Sequence, residues 1–128
     1  MLLRPSHKEL CGKVAAAVEA LSHGRFQFGP LKHLSGDLEE LQLEKADELP
    51  QLLAELLKEI QHEGPATCYT GGRPPQRSYE EEIRGLELWA YSWHSPRFQK
   101  RMYLKFALKK ECYIHVDCHS DRPPENLL

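Results

Sequence analysis

The stretch 101–120, "RMYLKFALKKECYIHVDCHS", alternates apolar and polar residues twice, with a charged break in the middle. Alternate residues of a β-strand point to opposite faces, so this pattern predicts two strands that each bury one face. The strands almost touch in sequence, which predicts an antiparallel hairpin. The residues expected on its buried face are Met102, Leu104, Phe106, Leu108, Cys112, Ile114, Val116 and Cys118.

The register of this hairpin follows from the parity of its apolar positions. Directly opposed residues share a face, and a slip of one residue would bury the polar set. A three-residue loop at 109–111 meets this condition. It opposes Lys105 to His115, Tyr103 to Asp117 and Arg101 to His119. A five-residue loop would change these partners but leave the same residues on the same face.

The predicted polar face carries side chains suited to RNA cleavage through the 2′-hydroxyl. That reaction needs a base for the hydroxyl proton, an acid for the leaving oxygen and cations for the phosphorane charge. His115 or His119 can act as base or acid, because histidine titrates near neutrality. The catalytic candidates are His115, His119, Lys105, Tyr103, Arg101 and Asp117.

The other polar residues of the face have supporting roles in this hypothesis. Arg101 and Lys105 would hold the phosphate. Tyr103 would donate a hydrogen bond or stack on a base. Asp117 would orient a histidine. The chemistry requires neither a metal ion nor a cofactor.

Two other interpretations of the polar face stay open. His115, Asp117 and His119 are also metal-ligand types, but alternate residues of a strand lie about 6.6–7 Å apart. The outer two therefore do not readily share an ion, and Lys105 and Arg101 would repel a cation. The simplest alternative is a solvated face, since an antiparallel sheet often exposes one side to water.

Two amphipathic helices are predicted before the hairpin. Ser6 and Glu9 form a capping-box pattern ahead of an apolar stripe, which predicts a helix over 7–23. A wide leucine stripe that begins after Asp47 and ends before Gly64 predicts a second helix over 47–62. The segment 25–46 is ambiguous between loop, short strand and helical turn.

A basic loop and a further strand connect these helices to the hairpin. Glycine and proline pairs in "TGGRPPQRS" predict irregular structure over 70–78. The aromatic segment "LELWAYSWHS" predicts another strand, so the antiparallel sheet spans 86–120. Cations beside the predicted face are candidates for substrate binding: Arg73, Arg77, Arg97 and Lys100.

Charge is distributed unevenly along the chain. Residues 84–122 hold eight cations against four anions, a net charge of +4, whereas residues 37–63 hold nine acids against two lysines, a net charge of −7. This contrast favours an anion site on the sheet rather than on the helix. Overall the charge is only −2, which gives no global case for nucleic-acid or membrane binding.

The length of 128 residues predicts a single domain over 1–128. No apolar run reaches the roughly 18 residues of a membrane span, and the N-terminus lacks the apolar core of a signal peptide. We therefore expect a cytoplasmic protein whose four cysteines are reduced thiols. None of them forms a CxxC pair, so no structural zinc site is predicted.

The segments "LELWAYSW" and "RMYLKFALKKECYIHVDCHS" resemble the sheet of small RelE-type and MqsR-type toxins of bacterial toxin–antitoxin systems. The resemblance covers about residues 86–120. It implies helices followed by an antiparallel sheet, and metal-independent cleavage of mRNA by side chains on that sheet. By position it carries those roles to Lys105, Tyr103, Arg101 and His119. It also implies RNA and a neutralising antitoxin protein as partners.

Together these features predict an α+β fold in which two N-terminal helices pack on a C-terminal antiparallel sheet of three to four strands. The favoured function is a metal-independent endoribonuclease toxin. The first alternative is a non-catalytic binding module, an inhibitor or adaptor, that uses the acidic helix or the aromatic strand. The second is a metal-dependent hydrolase built on His115 and His119.

Overall fold

A computed structural model describes residues 4–121. Its helices and strands, in chain order, are α1 His7–Ser22, β1 Phe26–Phe28, α2 Leu34–Glu40, α3 Leu49–Glu63, α4 Pro65–Cys68, β2 Trp89–Ser95, β3 Lys100–Lys109 and β4 Cys112–Ser120. Single 3₁₀ turns occupy Ala46–Glu48 and Glu81–Ile83. The α+β prediction is confirmed. No helix in residues 4–121 is long and apolar enough to cross a membrane.

Both long helices form where the sequence predicts them, over 7–23 and 47–62. The hydroxyl of Ser6 accepts a hydrogen bond from the backbone N–H of Glu9 at 3.0 Å, which caps α1. Pro50 lies in the first turn of α3, where its missing N–H costs nothing. The two short helices α2 and α4 were not predicted. The described residues therefore contain four α-helices rather than the predicted two.

The sheet has the strand order β1-β4-β3-β2, and β1 runs parallel to β4. The predicted all-antiparallel sheet is therefore wrong, because the sheet is mixed. The short strand β1 lies far from β4 in sequence, because α2, α3, α4, β2 and β3 lie between them. Such a long connection permits parallel pairing, whereas a tight turn does not.

The main core lies between the helices and one side of the sheet, which we call the inner face. The apolar stripes of α1 and α3 are buried against strand residues that include Trp93, Met102, Leu104 and Phe106, each with an exposed fraction of 0 %. Burial of these apolar side chains is the dominant stabilising contribution to such a fold. The opposite side of the sheet is the outer face.

The β3–β4 hairpin departs from the predicted register. Its turn contains only Lys110 and Glu111, both at positive φ (51° and 63°), as in a type I′ turn. Lys105 pairs with Asp117, but the next residue, Phe106, pairs with His115, so Val116 is the extra residue of a β-bulge. The bulge reverses the side-chain parity of the half of β4 that precedes it.

This reversal places Ile114 on the outer face and His115 on the inner face. The outer face is apolar at this end of the sheet, where Ala107, Ile114 and Val116 pack beneath Ile83 in a second, smaller core. Because apolar residues are buried on both sides, the alternating pattern does not report which side faces the helices. The polar end of the outer face remains open.

Candidate functional site

The open part of the outer face is a cleft, which we call the outer cleft. Its floor consists of residues from β3 and β4, and its walls are the β1–α2 loop and the segment 76–80. Two adjoining cavities of about 690 and 370 Å³ occupy it and share the lining residues Lys32, His33 and Asp117. Tyr103 and His119 line the larger cavity, and Lys105 lines the smaller one.

His119 and Tyr103 form a directly opposed cross-strand pair in the larger cavity. Their rings stack with centroids 5.2 Å apart and an interplanar angle of 24°. The Nδ1 atom of His119 lies 2.9 Å from the carbonyl oxygen of Ser120. Because a carbonyl only accepts, Nδ1 carries the proton, and Nε2 is the basic nitrogen of the neutral ring.

Tyr103 is a neutral phenol at physiological pH. Burial, with the nearby carboxylates of Asp117 and Asp121, raises the pKa of Tyr103 to about 12. Its hydroxyl can therefore donate a hydrogen bond but does not act as a base near neutrality. The ring holds His119 in place by stacking.

Lys105 and Asp117 form the second cross-strand pair, with 3.5 Å between Nζ and Oδ2. Both side chains are half-buried, which strengthens the interaction relative to an exposed pair. A phosphate group that approached Lys105 would compete with this carboxylate. Asp117 thus holds the Lys105 cation in the cleft and neutralises its positive charge.

Two cleft residues from the β1–α2 loop were missed by the sequence reasoning. Lys32 and His33 lie in the segment "GPLKHLSGD", within residues 25–46, for which the sequence predicts no definite element. Lys32 pairs with Glu80 across the cleft, and this hydrogen bond raises the pKa of Lys32 and lowers that of Glu80. The available signal was weak: a Lys-His pair in a loop, where functional residues are common.

His115 does not belong to the outer cleft. It is buried on the inner face with an exposed fraction of 2 %, and its Nε2 lies 3.3 Å from Oδ2 of Asp37 in α2. Its predicted pairing with Lys105 is wrong, because the bulge turns the two residues to opposite faces. His115 and His119 likewise face opposite sides, so they do not form a joint metal site. Among residues 4–121, no group of three or more potential metal ligands converges.

The predicted arginines of the strands have different positions. Arg101 lies on the outer face, where its Nη2 donates to the hydroxyl of Ser92 at 3.2 Å and its Nε lies 3.9 Å from Asp121. Arg97 lies in the β2–β3 turn and binds Glu55 of α3 at 2.9 Å, away from the cleft. Only Arg101 therefore adjoins the cleft.

The basic loop 70–78 runs along the outer face, where some of its residues lie against Ala90 and Tyr103. Arg73 stacks over the ring of Tyr69 at 5.2 Å from its centroid. Arg77 lines the smaller cavity and donates to the carbonyl oxygen of Gly85 at 2.8 Å. Lys100 is exposed at the start of β3, on the side opposite Lys105 by strand alternation. The structure thus brings Arg77 to the cleft, but not Lys100.

Comparison of the chain with models of protein families, with curated proteins and with solved structures finds no match. The geometry of the outer cleft is therefore the basis for assigning a function.

Proposed function

We propose that the protein is a metal-independent endoribonuclease whose active site is the outer cleft. The observation that carries this proposal is that His33 and His119 line a single cavity together with Lys32 and Tyr103. Two imidazoles beside a cation are the groups that cleavage through the 2′-hydroxyl needs, since one can act as base and the other as acid. His33 takes the place that the sequence reasoning gave to His115.

The roles of the two histidines follow from their surroundings. His119 has its Nδ1 proton engaged by the Ser120 carbonyl, so its Nε2 is the base that removes the 2′-hydroxyl proton. His33, protonated, donates a proton to the 5′ leaving oxygen. Lys105 and Lys32 stabilise the negative charge of the phosphorane, and Tyr103 donates a hydrogen bond to it. The products are a 2′,3′-cyclic phosphate and a 5′-hydroxyl.

Cleavage of a labelled single-stranded RNA in the presence of EDTA tests this proposal. We expect the wild-type protein to cut the RNA, to leave the same sequence in DNA intact and to show a bell-shaped pH dependence. His119→Ala and His33→Ala should each slow cleavage by about 10²–10⁴-fold, the usual contribution of a positioned acid or base.

His62→Ala, which removes an exposed histidine near the end of α3, is the matched control and should cut at the wild-type rate. RNA that stays intact with the wild-type protein would refute the proposal. So would equal rates for the variants His119→Ala and His62→Ala.

The charges of the cleft provide a second test, by RNA binding. Lys105→Met should weaken binding and reduce its salt dependence, because one phosphate contact is lost. Asp117→Asn should strengthen binding, because it removes the carboxylate that competes for Lys105. Effects of the same sign in both variants would show that the pair does not face phosphate.

We further propose that this nuclease is a toxin neutralised by an antitoxin protein. Tyr79, which lines the smaller cavity, and Leu31, in the loop between β1 and α2, have exposed fractions of 88 % and 64 %, and a partner that covers the cleft would bury them. Expression of the wild-type chain in bacteria should arrest growth, and His119→Ala should relieve the arrest. Harmless expression of the wild-type chain would contradict the toxin role.

The alternative of a non-catalytic binding module would use the acidic helix or the aromatic strand, and the aromatic strand offers it no exposed surface. Trp89, Tyr91 and Trp93 of the aromatic strand have exposed fractions of 2 % or less and form part of the main core. In the acidic helix, Glu59 accepts hydrogen bonds from Trp93 and from Ser95, at 2.9 and 2.7 Å. These residues hold the fold together.

A further inference from the structure

Two carboxylates of α2 bind the backbone of β4 directly. Oδ2 of Asp37 accepts a hydrogen bond from the N–H of Cys118 at 3.0 Å. One helical turn further on, Oε2 of Glu40 accepts a hydrogen bond from the N–H of Ser120 at 2.7 Å. Residues three apart lie on the same face of a helix, and alternate residues of a strand direct their N–H groups to the same edge. The helix therefore lies along one edge of β4.

These two carboxylates take the place of a neighbouring strand. Strand β1 pairs with β4 only as far as His115, and among the described residues no other strand pairs with β4 on that side. A hydrogen bond from a backbone N–H to a carboxylate is charge-assisted and stronger than one to a neutral acceptor. The two bonds thus fix the position of α2 relative to the part of β4 that carries His119.

The opposite end of α2 carries His33. This residue precedes the helix, and its carbonyl oxygen accepts a hydrogen bond from the N–H of Asp37 at 3.0 Å. The His33 side chain is exposed and makes no capping hydrogen bond to the helix. The place of His33 in the cleft therefore follows from the placement of α2 and of the loop before it.

We propose that Glu40 is a positioning residue of the ribonuclease, which acts with Asp37 to hold α2 on β4 and so keeps His33 in the same cavity as His119. This inference rests on the proposed ribonuclease function. Asp37 also contacts the buried His115, whereas Glu40 is half-buried and lines the larger cavity. Replacement of Glu40 therefore tests the attachment of α2 with less disturbance of the core.

Cleavage kinetics with labelled single-stranded RNA in EDTA test the positioning role. Glu40→Ala should lower kcat by about 10–10²-fold, the cost of misplacing a reacting group by about 1 Å. KM should stay within about twofold of the wild-type value, because the lost interaction does not bind substrate. Glu40→Gln keeps a carbonyl acceptor and should restore kcat to within about threefold of the wild type.

Two further variants complete this comparison. Glu39→Ala, at an exposed neighbouring position of α2, is the matched control and should keep the wild-type kcat. Glu40→Asp, which shortens the side chain by one methylene group, takes the place of Glu40→Ala if that variant does not fold. Wild-type kcat in the folded Glu40→Ala or Glu40→Asp variant would overturn the positioning role.

The same substitution in the His33→Ala background decides whether Glu40 acts through His33. We expect the additional change Glu40→Ala to slow this variant by less than about twofold, because the group that Glu40 positions is already absent. An equal fold loss in both backgrounds would show that Glu40 acts on another group, and would overturn the inference.

A binding measurement reports the position of His33 without any cleavage. The ring resonances of the histidines are recorded by NMR while an uncleavable 2′-O-methyl uridine hexamer is added. In the wild-type protein the hexamer should shift the resonances of both His33 and His119. In Glu40→Ala it should shift those of His119 alone, because the Tyr103 ring and the Ser120 carbonyl still hold that imidazole.

The positioning role and the nuclease fail in different ways. RNA cleavage by the wild-type protein at a rate that Glu40→Ala leaves unchanged would overturn the positioning role and leave the nuclease. Selective loss of the His33 shift in Glu40→Ala, in a protein that binds RNA but does not cut it, would support the positioning role and overturn the acid–base chemistry. A wild-type protein in which the hexamer shifts neither ring would overturn both.

Discussion

The strand that carries His119 depends on one buried carboxylate. Oδ2 of Asp37 lies 3.3 Å from Nε2 of His115 and accepts a hydrogen bond from the N–H of Cys118 at 3.0 Å. Strand β1 pairs with β4 only as far as His115, so α2 satisfies the edge of β4 beyond the bulge. Asp37→Ala would remove the only side chain that performs both tasks among the described residues.

The expected loss can be estimated from the groups left unpaired. The N–H of Cys118 and the ring of His115 would both lose their partner, and each buried polar group without a partner costs roughly 1–3 kcal/mol. We therefore expect Asp37→Ala to lower the free energy of unfolding by about 3 kcal/mol or more. Asp37→Asn keeps one carbonyl acceptor and should lose about half as much.

Urea unfolding, followed by circular dichroism, measures this loss. With an m value of about 1–3 kcal/mol per M, a loss of 3 kcal/mol moves the midpoint down by roughly 1–3 M. Glu39→Ala, an exposed position on the same helix, is the control and should change stability by about 0.5 kcal/mol or less. A loss below about 1 kcal/mol in Asp37→Ala would refute the reasoning that this carboxylate holds β4.

Three further predictions concern the turn, the edge strand and alkaline pH. Replacing Lys110 and Glu111 with Asn and Gly should raise the unfolding free energy by about 1–2 kcal/mol, because both positions have positive φ, which Asn and Gly adopt more readily. An unchanged melting temperature would contradict the type I′ turn. Gly29→Ala should lower the unfolding free energy by about 1–3 kcal/mol, because the new Cβ would lie 2.6 Å from a carbonyl oxygen of β4. The control Gly36→Ala places its Cβ within 4 Å of no atom and should not destabilise the fold. Equal melting temperatures of these two variants would argue against the close approach at Gly29. The pKa of Tyr103 is raised from 10.0 to about 12, so the folded state binds the phenol proton more tightly than the unfolded state does. The stability that this proton contributes is present below pH 10 and is lost as the pH rises towards 12. Phenolate absorbance and urea midpoints measured between pH 10 and 12 check that stability falls.

The sequence alone determined the elements whose signals are local. The capping pattern at Ser6 and the leucine stripe of α3 specify two helices, because caps and helical periodicity act within a few residues. The alternation in β3 likewise specifies a strand with Tyr103 and Lys105 on one face. Arg101, Asp117 and His119 were also placed correctly on that face, although their predicted partners were not.

Only the tertiary structure decided which residues form the cleft. The β-bulge at Val116 turns His115 towards the inner face. There the His115 ring contacts Asp37, a residue 78 positions away in sequence. The same long-range packing brought Lys32 and His33 beside His119. A parallel edge strand and a loop contact are non-local, so no periodicity in the sequence reports them. Local sequence patterns thus specify the strands, and tertiary contacts between distant segments determine which residues line the cleft.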